Sequence, residues 1–253
     1  MISREQSVLL IFSIAAVGAT FLFPRFPQPQ SYHDFADQRP ILGIHNGWNV
    51  LSNIPLSIAG VVGLVCLLAY SPASIFASSI EKTAYVAFFV GNVLMGIGSA
   101  YYHLAPDNQR LMWDRLPIPV SLLALFDAVL AERNDPRLAK ALFFPLVALG
   151  VVSVLYWIWT ERRGKGDLRP YGLAQTYPFI GIVVLLALKP ARSTGAKWLV
   201  LALIGYSLAR AFELLDKPVQ RRLRIIGGHP LKHFLAAAAA LFVLWMLMVR
   251  SAK

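Results

Sequence analysis

Cysteine and charged residues are scarce in this chain, and both shortages narrow the kinds of protein it can be. The 253 residues include one cysteine, so an intrachain disulfide and a cysteine-rich metal site are both excluded. Charged residues make up 15% of the sequence, whereas soluble domains carry about 25%. Hydrophobic residues make up 57%, which is typical of a protein built into a membrane.

The apolar residues are collected in blocks of roughly 18–24 residues, the length of a helix that crosses a hydrocarbon core about 30 Å thick. About eight blocks can be drawn, over residues 7–23, 47–70, 83–103, 113–132, 139–160, 171–188, 196–215 and 229–249. Continuous runs of this length favour helices over the shorter alternating strands of a barrel. We therefore expect an all-α membrane protein, a seven-transmembrane helical bundle plus an extra N-terminal transmembrane helix.

The blocks divide the chain into three parts. Residues 1–24 are expected to form the N-terminal transmembrane helix, which resembles a signal peptide in having Arg4 before an apolar run. The run ends in Phe-Leu-Phe-Pro rather than in a small-residue cleavage site, so an uncleaved signal anchor is favoured. Residues 25–46 form a polar loop, and residues 47–253 form the seven-helix bundle.

The basic residues lie mainly in short loops between the apolar blocks. The net charge is +11, and two loops, 161–169 and 220–224, are rich in arginine and lysine. This pattern indicates contact with anionic lipid headgroups. No basic helix face is interleaved with aromatic residues, so we do not expect nucleic-acid binding. The loop charges are similar on both sides and do not predict an orientation.

Several polar groups stand at the ends of the apolar blocks. Ser99 and His103 are four residues apart at the end of the third block, and His229 and His233 are four apart at the start of the eighth. Asp114 begins the fourth block. Residues four apart share one face of a helix, and counting the crossings places all five residues on one side of the membrane. The 25–46 loop lies on that side too.

Three histidines leave a fourth coordination position open, as a catalytic zinc requires. Asp114 would accept a proton from the attacking water, and Ser99 would stabilise the developing oxyanion. For a single histidine, capping or snorkelling at a helix end is the usual role. Elsewhere, Arg210 and Glu213 are predicted to form a structural ion pair, and His33 is expected to be solvated in the polar loop.

The chain resembles the alkaline ceramidases and the wider membrane superfamily that includes the progestin and adiponectin receptors. That superfamily carries Ser-x3-His, a following Asp and His-x3-His in a seven-helix bundle. The stretch Gly47-Trp48-Asn49-Val50-Leu51-Ser52-Asn53-Ile54-Pro55 narrows the similarity to the ceramidase branch. The resemblance covers about residue 34 onward and implies zinc at His103, His229 and His233, with Asp114 and Ser99 assisting hydrolysis of a lipid amide.

The resemblance also raises the question of calcium. Ceramidases bind calcium through acidic residues ahead of the first core helix, including a glutamate at the position that Asn46 occupies here. Asp34 and Asp37 are the only carboxylates in the 25–46 loop. A calcium site built from Asp34, Asp37 and Asn46 would have little charge and would be weak.

The leading hypothesis is a zinc-dependent amidohydrolase acting on ceramide or a related membrane lipid. One alternative is a receptor-like member of the same superfamily with a structural zinc; another is a helical bundle that uses its histidines for haem or a proton relay. No protein partner is implied, because about four residues follow the last apolar block. The short loops and the lack of an organelle address motif favour a bacterial inner membrane.

Overall fold

The computed structural model describes residues 4–70, 75–190 and 193–251, and helix is the only regular structure in those ranges apart from one isolated bridge between Ile41 and Ile44. The helices are α1 (Arg4–Leu22), α2 (Gly47–Leu51), α3 (Ile54–Val65), α4 (Ser79–Leu104), α5 (Asn108–Arg115), α6 (Pro117–Arg133), α7 (Pro136–Arg162), α8 (Arg169–Leu188), α9 (Ala196–Leu214), α10 (Asp216–Leu223) and α11 (Gly228–Val249). The expected all-α architecture is confirmed. Residues 1–3 of the predicted N-terminal helix and residues 252–253 lie outside the described ranges.

Six helical segments of the described chain are long and apolar enough to cross a membrane, and a seventh is added if α9 and α10 count as one span. The bend between α9 and α10 is 80°. The predicted fourth crossing corresponds to α6, which has 17 residues and is buried along most of its length among α4, α7 and α8. Multi-pass membrane character is thus supported, while the count of seven helices plus one stays a prediction.

Two predicted blocks are subdivided at prolines. The block from residue 47 breaks after α2, because Pro55 lacks a backbone donor and starts a new helix, α3. The block from residue 113 was expected to be one helix beginning near Asp114. Asp114 instead lies on the separate short helix α5, which ends before Pro117 opens α6. The prolines break each block because they remove hydrogen bonds that a continuous helix would need.

Helix α1 lies at the edge of the bundle. Leu9 is the only buried residue among the described residues of α1, and the helix packs against α8. A side-chain hydrogen bond between Ser13 Oγ and the Tyr177 hydroxyl, at 2.9 Å, joins α1 to α8. The expectation that α1 is an addition to a seven-helix core stays a prediction.

The 25–46 loop folds back over the end of the bundle where the histidines lie. The backbone N–H of Ala36 donates to Asp216 at 2.8 Å, and the Tyr32 hydroxyl donates to Glu213 at 2.9 Å. The side chains of Phe35 and Asp37 are buried. The loop is therefore an ordered cover whose conformation depends on contacts with α9 and the α9–α10 corner.

Candidate metal centre

The three predicted histidine ligands converge at one end of the bundle. His103 lies in the last turn of α4, and His229 and His233 lie in the first two turns of α11. One ring nitrogen from each can be chosen so that all three nitrogens lie within 4.8 Å of one another. All three side chains are buried. The structure therefore brings the three predicted ligands together at one end of the bundle.

One pair of these nitrogens has the spacing expected of two ligands to a single tetrahedral ion. Two nitrogens that bind the same zinc at about 2.0–2.1 Å lie about 3.3 Å apart in tetrahedral geometry. The Nε2 atoms of His103 and His229 are 3.2 Å apart. This separation also suits a hydrogen bond between the two rings, and the group of three histidines could hold a metal ion.

Ser52 orients His233. The Ser52 hydroxyl lies 2.7 Å from Nδ1 of His233 and 3.4 Å from the Asn49 carbonyl oxygen. In the tautomer of His233 that binds metal through Nε2, Nδ1 carries the proton and donates to the Ser52 oxygen, while the Ser52 hydroxyl proton points to the Asn49 carbonyl. This arrangement leaves the lone pair on Nε2 free to bind a metal, which is the usual role of a second partner on a ligating histidine.

His103 is held by packing rather than by a second hydrogen bond. Its Nδ1 atom is buried and has no hydrogen-bond partner among the described residues. The ring of Phe35 lies 4.7 Å from the His103 ring and 4.6 Å from the His229 ring, both edge-on. Phe35 therefore covers the two imidazoles and shields this side of the site from water.

Ser99 lies beside the histidines, and Asp114 lies near Ser99. Ser99 Oγ is 3.5 Å from Nε2 of His233, and the same hydroxyl lies close enough to the Asp114 carboxylate to influence its pKa. Burial raises the pKa of the Asp114 carboxyl above its ordinary value, and the nearby Lys232 ammonium and the Ser99 hydroxyl only partly oppose this shift. A carboxyl with a raised pKa is a better proton acceptor than an ordinary surface aspartate.

Gly98 brings α5 close enough to place Asp114 there. A Cβ atom on Gly98 would lie 2.3 Å from the Trp113 carbonyl oxygen. Only a residue without a side chain permits this backbone-to-backbone approach. The contact sets Trp113 and Asp114 against the turn of α4 that carries Ser99.

The start of α11 is fixed by Asp216. One Asp216 carboxylate oxygen accepts from the backbone N–H of His229 at 2.9 Å, and the other accepts from that of Ala36 at 2.8 Å. The carboxylate satisfies one of the free N–H groups in the first turn of α11 and complements the helix dipole. The same side chain thus positions a predicted ligand and anchors the loop that carries Phe35.

The three residues proposed for calcium have separate partners. Asp37 forms a two-pronged ion pair with Arg39, at 2.9 and 2.6 Å, and Asp34 pairs with Lys217 at 2.6 Å. The amide of Asn46 donates to the backbone carbonyl of His103 at 3.0 Å. Calcium would have to displace Arg39 and Lys217 from these carboxylates, and its binding stays a prediction.

Two further sequence predictions can be compared with the structure. His33 is not free in solvent: Nδ1 lies 2.8 Å from the Tyr102 hydroxyl, and Nε2 lies 2.9 Å from Asn108. The predicted ion pair between Arg210 and Glu213 is present. Glu213 additionally accepts from Lys232 at 2.9 Å, so the pair belongs to a larger network beside the metal centre.

Three residues that contribute to this site were not predicted from the sequence. Ser52 stands within the Asn-x-x-Ser-Asn stretch used for the family resemblance, but nothing in that pattern indicates that it contacts His233. Phe35 carries no local signal, because its partners are about 70 and 190 residues away along the chain. Asp216 contacts His229, which is 13 residues away, and Ala36, which is 180 residues away. Both roles come from the way in which separate segments pack together.

A comparison of the chain with models of known protein families finds no match. Any function assigned to the protein therefore depends on the residues of the site and on the geometry that brings them together. The most informative element of that geometry is a buried three-histidine cluster with a carboxylate and a hydroxyl beside it.

Proposed function

We propose that this protein is an integral-membrane, zinc-dependent amidohydrolase that cleaves the amide bond of ceramide or a related lipid. The observation that carries the proposal is the convergence of one ring nitrogen each from His103, His229 and His233 within 4.8 Å, with the Ser99 hydroxyl 3.5 Å from Nε2 of His233 and Asp114 near Ser99. Three neutral nitrogen ligands are the set that a catalytic zinc uses when it keeps one position open. The resemblance of the sequence motifs to alkaline ceramidases supports the same chemistry.

Each residue of the site has a separate role in the proposed amide hydrolysis. A zinc ion held by the three histidines would supply Lewis acidity and lower the pKa of a water molecule to about 7. Asp114 accepts the proton that the attacking water loses, and can return it to the leaving amine. The Ser99 hydroxyl orients the Asp114 carboxylate and offers a hydrogen bond to the carbonyl oxygen as negative charge develops on it. Ser52 keeps His233 in the tautomer that binds metal.

A cavity beside the site suits a lipid substrate. It has a volume of about 110 Å³ and lies between α4, α6, α8, α9 and α11. Its polar end contains Tyr32, Glu213 and Lys232, and Lys232 directly precedes the ligand His233. The rest of the wall is mainly apolar, including Phe88, Met95, Leu125, Ile182, Leu203, Ala236 and Val243. A lipid amide bond would sit at the polar end with its chain among the apolar side chains.

The test is metal analysis together with an activity assay on the full chain purified in detergent. We expect one zinc per chain and release of fatty acid from ceramide that stops on addition of a chelator. His229→Ala is expected to lose both zinc and activity, whereas His45→Ala, which changes an exposed histidine, should keep both.

Two outcomes would contradict the proposal. One zinc per chain without hydrolysis of ceramide or other lipid amides would favour a receptor-like protein with a structural metal. A chain that carries no zinc, or one whose activity survives in the His229→Ala variant, would show that the histidines have another role.

A further inference from the structure

Helix α1 leaves an open crevice on the outside of the bundle. The crevice has a volume of about 570 Å³ and lies between α1, α6, α7 and α8. Its walls are formed largely by apolar side chains, among them Leu10, Val17, Leu123, Phe126, Leu138, Leu142, Leu146 and Leu149. Apolar walls do not hold ordered water, and an empty space would forfeit dispersion contacts. In a bilayer this crevice is filled by hydrocarbon.

A basic pocket lies at the end of α7 that faces the metal centre. It has a volume of about 630 Å³ and is lined by Arg25, Tyr156, Trp159, Thr160, Arg163 and Lys165. The Arg163 guanidinium stacks 4.1 Å from the centre of the Trp159 ring. Trp and Tyr are the residues typical of the headgroup level of a membrane. The pocket therefore combines positive charge with an interfacial position.

The charge of this pocket is not neutralised by the protein. Neither Arg163 nor Lys165 forms a salt bridge with a carboxylate in the described part of the chain. Arg25 lies 3.6 Å from the Asp167 carboxylate, but that carboxylate is already held by Arg169 at 2.8 Å. The Tyr156 hydroxyl also donates to Asp167, at 3.2 Å. An anion bound in this pocket would contact Arg163 and Lys165, whose positive charges are not paired with a carboxylate of the described chain.

The crevice and the basic pocket lie on the same face of α7. Steps of three, four or seven residues lead from Leu142 through Leu146 and Leu149 to Tyr156, and from there to Arg163. From Leu149 to Tyr156 is seven residues, or about 10 Å of helix. One leaflet of the hydrocarbon core is about 15 Å deep. A lipid chain that starts at the basic pocket is thus long enough to enter the crevice.

We propose that this face binds an anionic glycerophospholipid. The phosphate of the headgroup contacts Arg163, Lys165 and Arg25, and one acyl chain follows α7 into the crevice beside α1. The apolar groove with an unpaired cationic end favours this class over a zwitterionic lipid. The ammonium group of a zwitterionic lipid would find the Asp167 carboxylate fully buried and the Glu161 carboxylate already accepting from Gln28 and Trp157. The site lies outside the metal centre and does not depend on the proposed hydrolase activity.

The experiment is native mass spectrometry of the full chain in detergent, titrated with phosphatidylglycerol, phosphatidylcholine or inorganic phosphate. Detergent removes the general surface potential of a membrane, so retained lipid reports a specific site. The double variant Arg163→Gln/Lys165→Gln is compared with Arg221→Gln/Arg222→Gln, which removes two exposed arginines from α10 at the same end of the bundle. Leu146→Trp fills the crevice without changing charge.

We expect the wild-type chain to retain phosphatidylglycerol in preference to phosphatidylcholine. Loss of Arg163 and Lys165 should weaken phosphatidylglycerol binding about 25-fold, at roughly 1 kcal/mol for each cation. Leu146→Trp should lower retention of phosphatidylglycerol, and the α10 variant should bind as the wild type does.

Three results would each overturn the proposal: equal retention of the two lipids, equal losses in the α7 and α10 variants, or displacement of lipid by equimolar inorganic phosphate. The last result would show an ion site without a role for the acyl chain. Because lipid binding is read directly from mass, failure of the hydrolase proposal would leave this measurement unaffected.

Discussion

Ser52→Ala is expected to weaken metal binding by about 10- to 100-fold, although Ser52 would not touch the ion. Ser52 Oγ lies 2.7 Å from Nδ1 of His233 in a fully buried position, and in the metal-binding tautomer it accepts from Nδ1–H. Alanine leaves that N–H without a partner, which costs about 1–3 kcal/mol when the group is buried. Second partners of ligating histidines contribute about 10- to 100-fold in metal affinity, which corresponds to about 1.4–2.7 kcal/mol.

The affinity would be measured by competition between the purified protein and a chelator of known zinc affinity. Ser153→Ala is the matched control, because Ser153 is also buried and its hydroxyl donates within α7 to the Gly150 carbonyl at 2.7 Å. Both variants lose one buried hydroxyl, but only Ser52→Ala loses a contact with a histidine. The melting temperature of each variant reports any general loss of stability.

A Ser52→Ala protein that binds zinc within about threefold of the Ser153→Ala control would refute this reasoning, since a factor of three is less than 1 kcal/mol. It would mean that His233 does not depend on Ser52 for its tautomer. Recovery of affinity in Ser52→Thr, which restores a hydroxyl at the same position, is expected if the hydrogen bond is the cause.

Three further predictions concern Asp114, Gly98 and Asp167. Asp114→Asn should lower turnover of a lipid amide at least 100-fold with zinc content unchanged, because a proton acceptor is lost; unchanged turnover would exclude Asp114 from the chemistry. Gly98→Ala should destabilise the fold by about 1–3 kcal/mol, since its Cβ would lie 2.3 Å from a backbone oxygen. Gly172→Ala, which meets nothing within 4 Å, should melt like the wild type, and equal melting of both variants would contradict the packing argument. The hydrogen bond from Arg169 lowers the pKa of Asp167 below its ordinary value, so the ion pair stabilises the fold above about pH 4 and is lost as pH falls through the folded-state pKa. Asp167→Asn should therefore cost roughly 2 kcal/mol at pH 7, and a deficit in thermal melting that persists at about pH 2 would contradict this assignment.

The site was predictable in part because its ligands follow a local pattern. His229 and His233 are four residues apart, so any helix over that stretch places them on one face. Counting the predicted membrane crossings then led to the prediction that His103 lies on the same side of the membrane. Asp114 was expected at the start of the fourth block, but it lies on α5, which Pro117 separates from α6. Helix periodicity and the crossing count predicted which residues lie at this end of the bundle, but they did not predict the break between α5 and α6.

The remaining contacts required the tertiary structure. Phe35 covers the imidazoles and Asp216 holds the first turn of α11, yet the sequence around neither residue indicates such a role. The contacts of Phe35 depend on the loop of residues 25–46 folding onto the bundle, and the contact of Asp216 depends on the start of α11 packing against the α9–α10 corner. Such contacts are decided by the packing of whole helices, which no short pattern encodes.

The apolar blocks are enough to predict a helical chain of multi-pass membrane character, because a hydrocarbon environment demands internal backbone hydrogen bonds and apolar side chains over a fixed length. The spacing of the histidines predicts which three could share an ion. Tertiary packing brings their nitrogens together, places Ser52 against Nδ1 of His233 and leaves a crevice between α1 and α6, α7 and α8. These features depend on distances between helices, and those distances are set by close approaches such as that at Gly98 rather than by the composition of any one segment.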